Sequence, residues 1–119
     1  MVLTMLGEPQ PRGRPPAIIR QRLLIMTLRD FQKTIEAIYF EKDKARGLEA
    51  TYMWFAEEVG ELTRALRRDD DRENLEEEFA DVLAWLSTMA SIKGIDLEAA
   101  AQKKYGSGCP YCSKTPCAC

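Results

Sequence analysis

The sequence of 119 residues contains no histidine, and this absence excludes several kinds of catalytic site. A Ser-His-Asp triad, a histidine general base, a zinc hydrolase with histidine ligands and a carboxylate–histidine di-iron centre all need that residue. Hydrolytic chemistry in this chain would therefore depend on carboxylates, on cysteines or on a metal ion held by oxygen ligands.

Long apolar runs and a strong charge of one sign are also missing. No apolar stretch approaches the roughly 18 residues of a membrane span. The formal net charge of −2 and the isoelectric point near 5.3 give no broad attraction to nucleic acid or anionic lipid. Hydrophobic residues make up 45% and charged residues 30%. We therefore expect one cytoplasmic, globular domain with a modest core, and neither nucleic acid nor a membrane as its partner.

The beginning of the chain differs in composition from the rest. Residues 1–25 hold four of the six prolines and four arginines. Their order does not fit a secretory signal, in which basic residues precede an unbroken apolar stretch. We expect residues 1–26 to form a disordered or loosely attached extension. A helical domain over 27–105 and a tail over 106–119 would follow it.

Apolar residues recur at helical spacing from Thr27 onward. Thr27 and Asp30 fit a capping box at the start of the first helix. The pattern predicts four helices, with approximate limits Thr27 to Gly47, 49–68, 73–93 and Asp96 to Gly106. No strand pattern competes with it. The sequence therefore predicts an all-α, antiparallel four-helix-type bundle with a short cysteine-rich C-terminal tail.

The second and third predicted helices carry acidic residues in matching patterns. The segment EEVGEL contains Glu58 and Glu61, and the segment EEFADVLAWL contains Glu78 and Asp81. Because only a short turn joins the two helices, they should pack antiparallel. Glu58 would then face Asp81, and Glu61 would face Glu78. Four carboxylates at that distance would repel one another or take up protons, and a divalent cation such as Mg²⁺ or Mn²⁺ would remove the repulsion.

Other interpretations of these helices stay open. The acids could form a solvated face paired with Arg64, Arg67 and Arg68, since like charges one turn apart cost only a few tenths of a kcal/mol. Trp54 and Trp85 would face each other in the same register. They either belong to the core or form aromatic walls on which a base stacks.

The paired acidic segments resemble the E-E-x-x-E…E-x-x-D signature of MazG-like nucleotide pyrophosphohydrolases, the all-α NTP pyrophosphatases, over roughly residues 27–105. The resemblance implies a Mg²⁺-dependent enzyme that cleaves a nucleoside triphosphate between the α and β phosphates, giving a nucleoside monophosphate and pyrophosphate. It also implies a homo-oligomer, either a dimer or a tetramer. Glu57 matches the first acid of the motif and would position or deprotonate the attacking water. The residues that match the family's metal ligands are Glu58, Glu61, Glu78 and Asp81.

Basic side chains should meet the phosphates of such a substrate. Arg68 lies two turns beyond Glu61, on the same side of its helix. Lys103 and Lys104 end the fourth predicted helix, where the helix dipole favours cations in any case. The two lysines are therefore either phosphate ligands or ordinary C-terminal charges.

All four cysteines lie in the final segment CPYCSKTPCAC, with the spacing C-x₂-C-x₄-C-x-C. A closed tetrahedral Zn²⁺ site, structural and not catalytic, is the leading interpretation. Its ligands would be Cys109, Cys112, Cys117 and Cys119. Disulfides or a redox-active pair of Cys109 and Cys112 are alternatives, although cytosolic thiols stay reduced. The tail is too short to fold unaided, so a metal ion would supply its order.

Two other classes of function compete with the enzyme. One is a non-catalytic helical interaction module whose zinc tail docks a partner. The other is a helical regulator that uses the cysteines as a metal or redox sensor. An interaction module has no reason to match E-x-x-E with E-x-x-D in register, so the acidic pairing favours the pyrophosphohydrolase.

Overall fold

A computed structural model of the protein describes residues 26–119, which form four α-helices and no strand. In chain order the helices are α1 (Leu28–Arg46), α2 (Leu48–Arg68), α3 (Arg72–Ile92) and α4 (Leu97–Tyr105). Helix α3 packs against both α1 and α2, and α4 lies against α1.

This architecture confirms the predicted fold class, an all-helical bundle with its cysteines clustered at the C-terminus. The predicted extension over residues 1–26 lies outside the described residues, apart from Met26. The division of the chain into extension, helical domain and tail stays a prediction. Within residues 26–119, no helix combines the length and the apolar character that crossing a membrane requires.

Three of the four helices begin with a side-chain cap. Thr27 and Asp30 form the capping box of α1. Asp71 and Asp96 accept hydrogen bonds from backbone N–H groups in the first turns of α3 and α4. Gly47 alone separates α1 from α2, and its φ of 90° lies in the region that only glycine adopts without strain. The chain can change direction within one residue for this reason.

The connection between α2 and α3 consists of residues 69–71. Asp69 adopts a left-handed conformation, with φ of 48°, and its N–H bonds to the carbonyl of Ala65 to end α2. A turn this short forces the two helices to run antiparallel and side by side. The acidic face of α2 is thereby set against that of α3.

The core lies where α3 meets α1. Its buried apolar cluster consists of Ile35, Tyr39, Ala84 and Trp85, with Phe31, Trp54 and Phe55 packed against it. Trp85 is 0% exposed. An aromatic ring of this size removes roughly 150–250 Å² from water, which makes Trp85 a principal apolar anchor of the bundle.

A buried polar network joins the end of α1 to α3. Asp43 is 1% exposed, and its carboxylate accepts hydrogen bonds from the Thr88 hydroxyl at 3.0 Å and from the Arg46 guanidinium at 2.9 Å. The same guanidinium lies 5.3 Å from the centroid of the Trp85 ring. Because a buried carboxylate without partners is strongly destabilising, this network fixes how α1 sits on α3.

Polar contacts also fasten the start of α4 to α1. The buried Gln32 side chain donates to the carbonyl of Ile95 at 2.8 Å and accepts from the first N–H of α4 at 2.9 Å. Arg29 forms ion pairs with Asp96 at 2.6 Å and with Glu98 at 2.7 Å. These ion pairs are partly exposed, so solvent screens them and each contributes little to stability. Gln32 is therefore the stronger tether.

Replacing Asp43 with alanine should lower the free energy of unfolding by about 2–4 kcal/mol, because it leaves the Arg46 guanidinium and the Thr88 hydroxyl without their buried acceptor. Urea unfolding followed by circular dichroism measures this loss. Glu41→Ala, at an exposed position of the same helix, is the matched control and should change stability by less than about 0.5 kcal/mol. Equal losses of unfolding free energy for Asp43→Ala and Glu41→Ala would contradict a stabilising role of the buried network.

Candidate functional site

Three of the predicted acidic ligands meet where α2 and α3 pack together. One carboxylate oxygen from each of Glu58, Glu78 and Asp81 lies within 4.8 Å of the others. Glu58 is only 6% exposed, and the other two are half-buried. Oxygens bound to one Mg²⁺ ion at about 2.1 Å lie at most about 4.2 Å apart. The observed cluster therefore needs at most a small closure to hold such an ion.

Two oxygens of this cluster have no hydrogen-bond partner among the described residues. They are Oε2 of Glu58 and Oε2 of Glu78, and both are buried. A buried, unsatisfied carboxylate oxygen is costly, so its presence points to a ligand. The donor set consists of oxygen alone, which suits a hard cation such as Mg²⁺ or Mn²⁺ better than a soft metal ion. These residues fit the metal ion that the sequence predicts.

Burial and mutual repulsion change the proton affinity of the cluster. Burial, followed by the charges of Glu61, Asp81 and Glu78, raises the pKa of Glu58 to about 7. Burial is also the largest cause that raises the pKa values of Glu78 and Asp81, and the charge of Glu61 adds to both. Without a cation, part of the cluster is protonated near neutral pH. A bound cation would displace those protons.

Glu61 lies beside the three-carboxylate cluster and not within it. Its charge raises the pKa values of the other three acids. Together with Glu78 it lines a polar cavity of about 410 Å³. The other lining residues are Arg64, Ala65, Arg68, Asp70, Asp71 and Asn74. The fourth predicted ligand therefore faces a space next to the cluster that is large enough for part of a ligand.

The cavity distinguishes between the predicted basic residues. Arg68 lines it together with Glu61. Arg64 lines it as well, and its charge partly offsets the rise in the pKa of Glu78. The sequence pattern had assigned Arg64 only to a solvated face, although its three-residue step from Glu61 places both on one side of α2. Lys103 and Lys104 lie in the exposed last turn of α4 and do not line this cavity. The helix-dipole interpretation describes these two lysines better.

The two tryptophans have different surroundings. Trp85 is completely buried, and the Arg46 guanidinium lies over its ring. A base therefore has no access to Trp85, and of the two interpretations that the sequence allowed, core packing is the one that fits. Trp54 is half-buried and packs against the core cluster, so its contact with a base stays a prediction. Glu57 is exposed on α2 and lies outside the cluster, and its role also stays a prediction.

Helix α1 contributes a residue, Tyr39, that interacts electrostatically with the acids, although no sequence signal connects it with them. Tyr39 is buried in the core cluster. Burial first, then the charges of Asp43 and Asp81, raise the pKa of its phenol. Tyr39 thus lies between the buried network of α1 and the acidic cluster. This electrostatic interaction joins residues far apart in the chain, which local periodicity does not report.

A second group of potential metal ligands lies in the tail. The four cysteine sulfurs lie within 4.8 Å of one another, and no disulfide joins them. Backbone N–H groups, that of Ala118 first, lower the pKa of Cys112 to about 6. This cluster contains only sulfur and the other only oxygen, so the chain offers two separate sites of different chemistry that could hold a metal ion.

The fold and the site together define the class of protein. It is an all-α protein in which both helices of an antiparallel hairpin supply carboxylate oxygens to a candidate metal site. A family model for the MazG nucleotide pyrophosphohydrolase domain matches residues 46–113. The match covers more than half of the 119 residues, and the chain belongs to this family. A search of curated proteins finds no match. Membership in this family confirms the resemblance seen in the sequence and implies a nucleotide substrate. It does not favour the alternative of a non-catalytic interaction module.

The raised pKa values predict how the stability of the metal-free protein depends on pH. The pKa of Glu58 is about 7 in the folded protein and about 4.5 ordinarily, so the folded state binds more protons between these values. Stability should therefore fall as the pH rises from about 4.5 to about 7. In EDTA, the melting temperature should be higher near pH 5 than near pH 8.

Variants of neighbouring acids test the origin of this effect. Glu58→Gln removes the buried charge, so it should raise the melting temperature at pH of about 8 and flatten the pH dependence. Glu57→Gln, at the adjacent exposed position, is the control and should change neither. If the melting temperature of the unaltered protein instead rises steadily from about pH 5 to about pH 8, the pH dependence cannot be assigned to Glu58.

Proposed function

We propose that this chain is a Mg²⁺-dependent nucleoside triphosphate pyrophosphohydrolase, with Mn²⁺ as the alternative ion. The observation that carries the proposal is the cluster of Glu58, Glu78 and Asp81 with its two unpartnered oxygens, next to a cavity that contains two arginines. A water molecule would attack the α-phosphorus, and the bond to the oxygen that bridges the α and β phosphates would break. The products are a nucleoside monophosphate, pyrophosphate and one proton.

Each part of the site has a proposed role. Glu58, Glu78 and Asp81 would hold the metal ion, and Glu61 would complete its ligand set from the adjoining cavity. Bound Mg²⁺ supplies charge neutralisation for the triphosphate and polarises water. Arg64 and Arg68 would bind phosphate oxygens through charge-assisted hydrogen bonds.

Glu57 would position the water or accept its proton. This exposed acid adjoins Glu58 on α2 but lies outside the cluster. It is therefore free to interact with a solvent molecule at the edge of the site. No covalent nucleophile and no histidine are needed for such chemistry.

The alternative of a solvated acidic face agrees less well with the structure. Such a face requires exposed carboxylates, whereas Glu58 is 6% exposed. It also requires ion pairs with nearby arginines. The salt bridges within residues 26–119 join none of the four acids to an arginine.

We also propose that the chain works as a homo-oligomer, a dimer or a tetramer. On α2, Val59 is 37% and Leu66 49% exposed, and on α3, Phe79 is 52% and Leu86 40% exposed. The spacing of seven residues within each pair places its members on one face of the helix. Apolar stripes that remain exposed are typical of protein interfaces.

The proposed setting is the cytoplasm, where thiols such as these four stay reduced. The net charge of −2 supports neither nucleic acid nor an anionic membrane as a partner. Residues 27–105 would form the catalytic domain, preceded by the extension over 1–26 and followed by the tail over 106–119.

Hydrolysis of a panel of ribo- and deoxynucleoside triphosphates tests the proposed activity. With Mg²⁺ the protein should release monophosphate and pyrophosphate, and EDTA should stop the release. Glu78→Gln should lower kcat/KM about 100-fold or more, because it removes a charged ligand. Glu76→Gln, at an exposed position of the same helix, should retain activity.

Two outcomes of this assay would contradict the proposal in different ways. Release of diphosphate and orthophosphate would leave the metal site but refute the bond that is cleaved. No turnover by a folded, Mg²⁺-loaded protein would refute the enzyme and return the interaction module to first place. Circular dichroism of both variants ensures that a lost fold is not mistaken for a lost ligand.

Oligomerisation has its own test in size-exclusion chromatography with light scattering. Phe79→Glu should convert the oligomer to a monomer, because it places a charge in the proposed apolar interface. Ile38→Glu is the matched control, since Ile38 is also 52% exposed but lies on α1. A monomeric unaltered protein, or equal effects of the two substitutions, would contradict the proposed interface.

A further inference from the structure

The tail that follows α4 has no apolar core of its own. Residues 106–119 form neither helix nor strand, and most of their side chains are exposed. Tyr111, the largest side chain among them, is 84% exposed. Ordering a segment costs backbone conformational entropy at every residue. An ordered conformation of this segment therefore requires an interaction other than hydrophobic burial.

Two of three short sulfur–sulfur separations in the tail are those that such an interaction requires. Sγ of Cys109 lies 3.9 Å from that of Cys119, and Sγ of Cys112 lies 3.9 Å from that of Cys117. The sulfurs of Cys117 and Cys119 are 3.1 Å apart. Around a Zn²⁺ ion with Zn–S bonds of about 2.3 Å, tetrahedral geometry places the sulfurs about 3.8 Å apart. The two longer distances agree closely with this value.

Backbone contacts bring the two halves of the cysteine motif together. The first half closes into a turn through a 2.7 Å hydrogen bond from the N–H of Ser113 to the carbonyl of Cys109. From the second half, the N–H of Ala118 donates to Sγ of Cys112 at 3.4 Å. Donors of this kind orient a thiolate toward a metal ion.

Gly108 allows the halves to approach. Its φ is 102°, and a Cβ at this position would lie 2.8 Å from Oγ1 of Thr115. The two segments could not come this close with a larger residue at position 108.

We propose that the tail binds one Zn²⁺ ion through the thiolates of all four cysteines. The ligand set is complete, so neither water nor substrate has a place on the ion, and the ion orders the tail without catalysing a reaction. Four thiolates and Zn²⁺ carry a net charge of −2, and Lys114 within the motif would offset part of it. The family match ends at residue 113, before Cys117 and Cys119. Family membership therefore does not imply this site, and the inference does not rest on the proposed hydrolysis.

The test is metal analysis of the full-length chain purified from a Zn²⁺-supplemented culture. Elemental analysis should give one zinc per chain. Replacement by Co²⁺ should give the intense visible bands and sulfur-to-metal charge-transfer bands of a tetrahedral thiolate site. Cys112→Ser and Cys119→Ser, one from each half, should each weaken Zn²⁺ binding about tenfold or more in competition with a chromophoric chelator. Tyr111→Ser, in the same turn, is the matched control and should bind normally.

Three outcomes would overturn the proposal. If the protein contains no zinc and its mass is four hydrogens below that of the fully reduced chain, the cysteines form two disulfides instead. One iron per chain would assign the site to another metal. Unchanged Zn²⁺ affinity in both cysteine variants would place the ion elsewhere. Thiol titration of the unaltered protein is a second measurement that needs no variant, and its four thiols should react freely only after Zn²⁺ is removed.

Discussion

Packing α2 against α3 brings carboxylates into a space where water does not fully solvate them, and the candidate site depends on this constraint. The turn over residues 69–71 is too short for the helices to separate, so Glu58, Glu78 and Asp81 must share a small volume. Their repulsion is relieved either by protons, as the pKa of about 7 for Glu58 indicates, or by a cation. Stability, pH response and metal affinity are therefore consequences of one interaction.

A comparison of two buried acids separates structural carboxylates from candidate ligands. Asp43 is 1% exposed, and its two oxygens accept hydrogen bonds from Arg46 and Thr88. Glu58 is 6% exposed, yet one of its oxygens has no partner within residues 26–119. Both carboxylates are desolvated, but the protein satisfies only the first. Burial alone would not distinguish them, whereas the missing partner does.

Local chemistry explains how much of this could be predicted from the sequence. Helix periodicity and caps placed the starts of α2 and α3 within one residue of Leu48 and Arg72. The short turn then led to the pairing of the acidic segments, since antiparallel register follows from turn length. The sequence could not decide between a buried and a base-stacking Trp85, and it gave no sign that the charge of Asp81 acts on Tyr39. Both depend on how α1 is rotated against α3, which neither periodicity nor turn length reports.

Periodicity also could not tell which apolar stripe faces the chain's own core. The 4-3-4 spacing of Phe55, Val59, Leu62 and Leu66 fits a core-facing stripe, yet Val59 and Leu66 remain partly exposed. A stripe that meets a second subunit has the same spacing as one that meets a neighbouring helix, because both are buried in the assembly. The two kinds of stripe differ only in whether other helices of the same chain bury them. Here α1 and α4 leave part of the apolar surface of α2 and α3 exposed.

The acidic cluster and the cysteine tail would select different metal ions through ligand chemistry alone. Carboxylate oxygens suit a hard ion that exchanges ligands with substrate and water, whereas four thiolates enclose a soft ion and leave no open position. Each helix limit of the bundle is set by caps and turns that do not involve the cysteines. Loss of metal from the tail would therefore release residues 106–119 without separating α2 from α3. In the proposed arrangement the oxygen site would exchange ligands with substrate and water, while the sulfur site would stay closed.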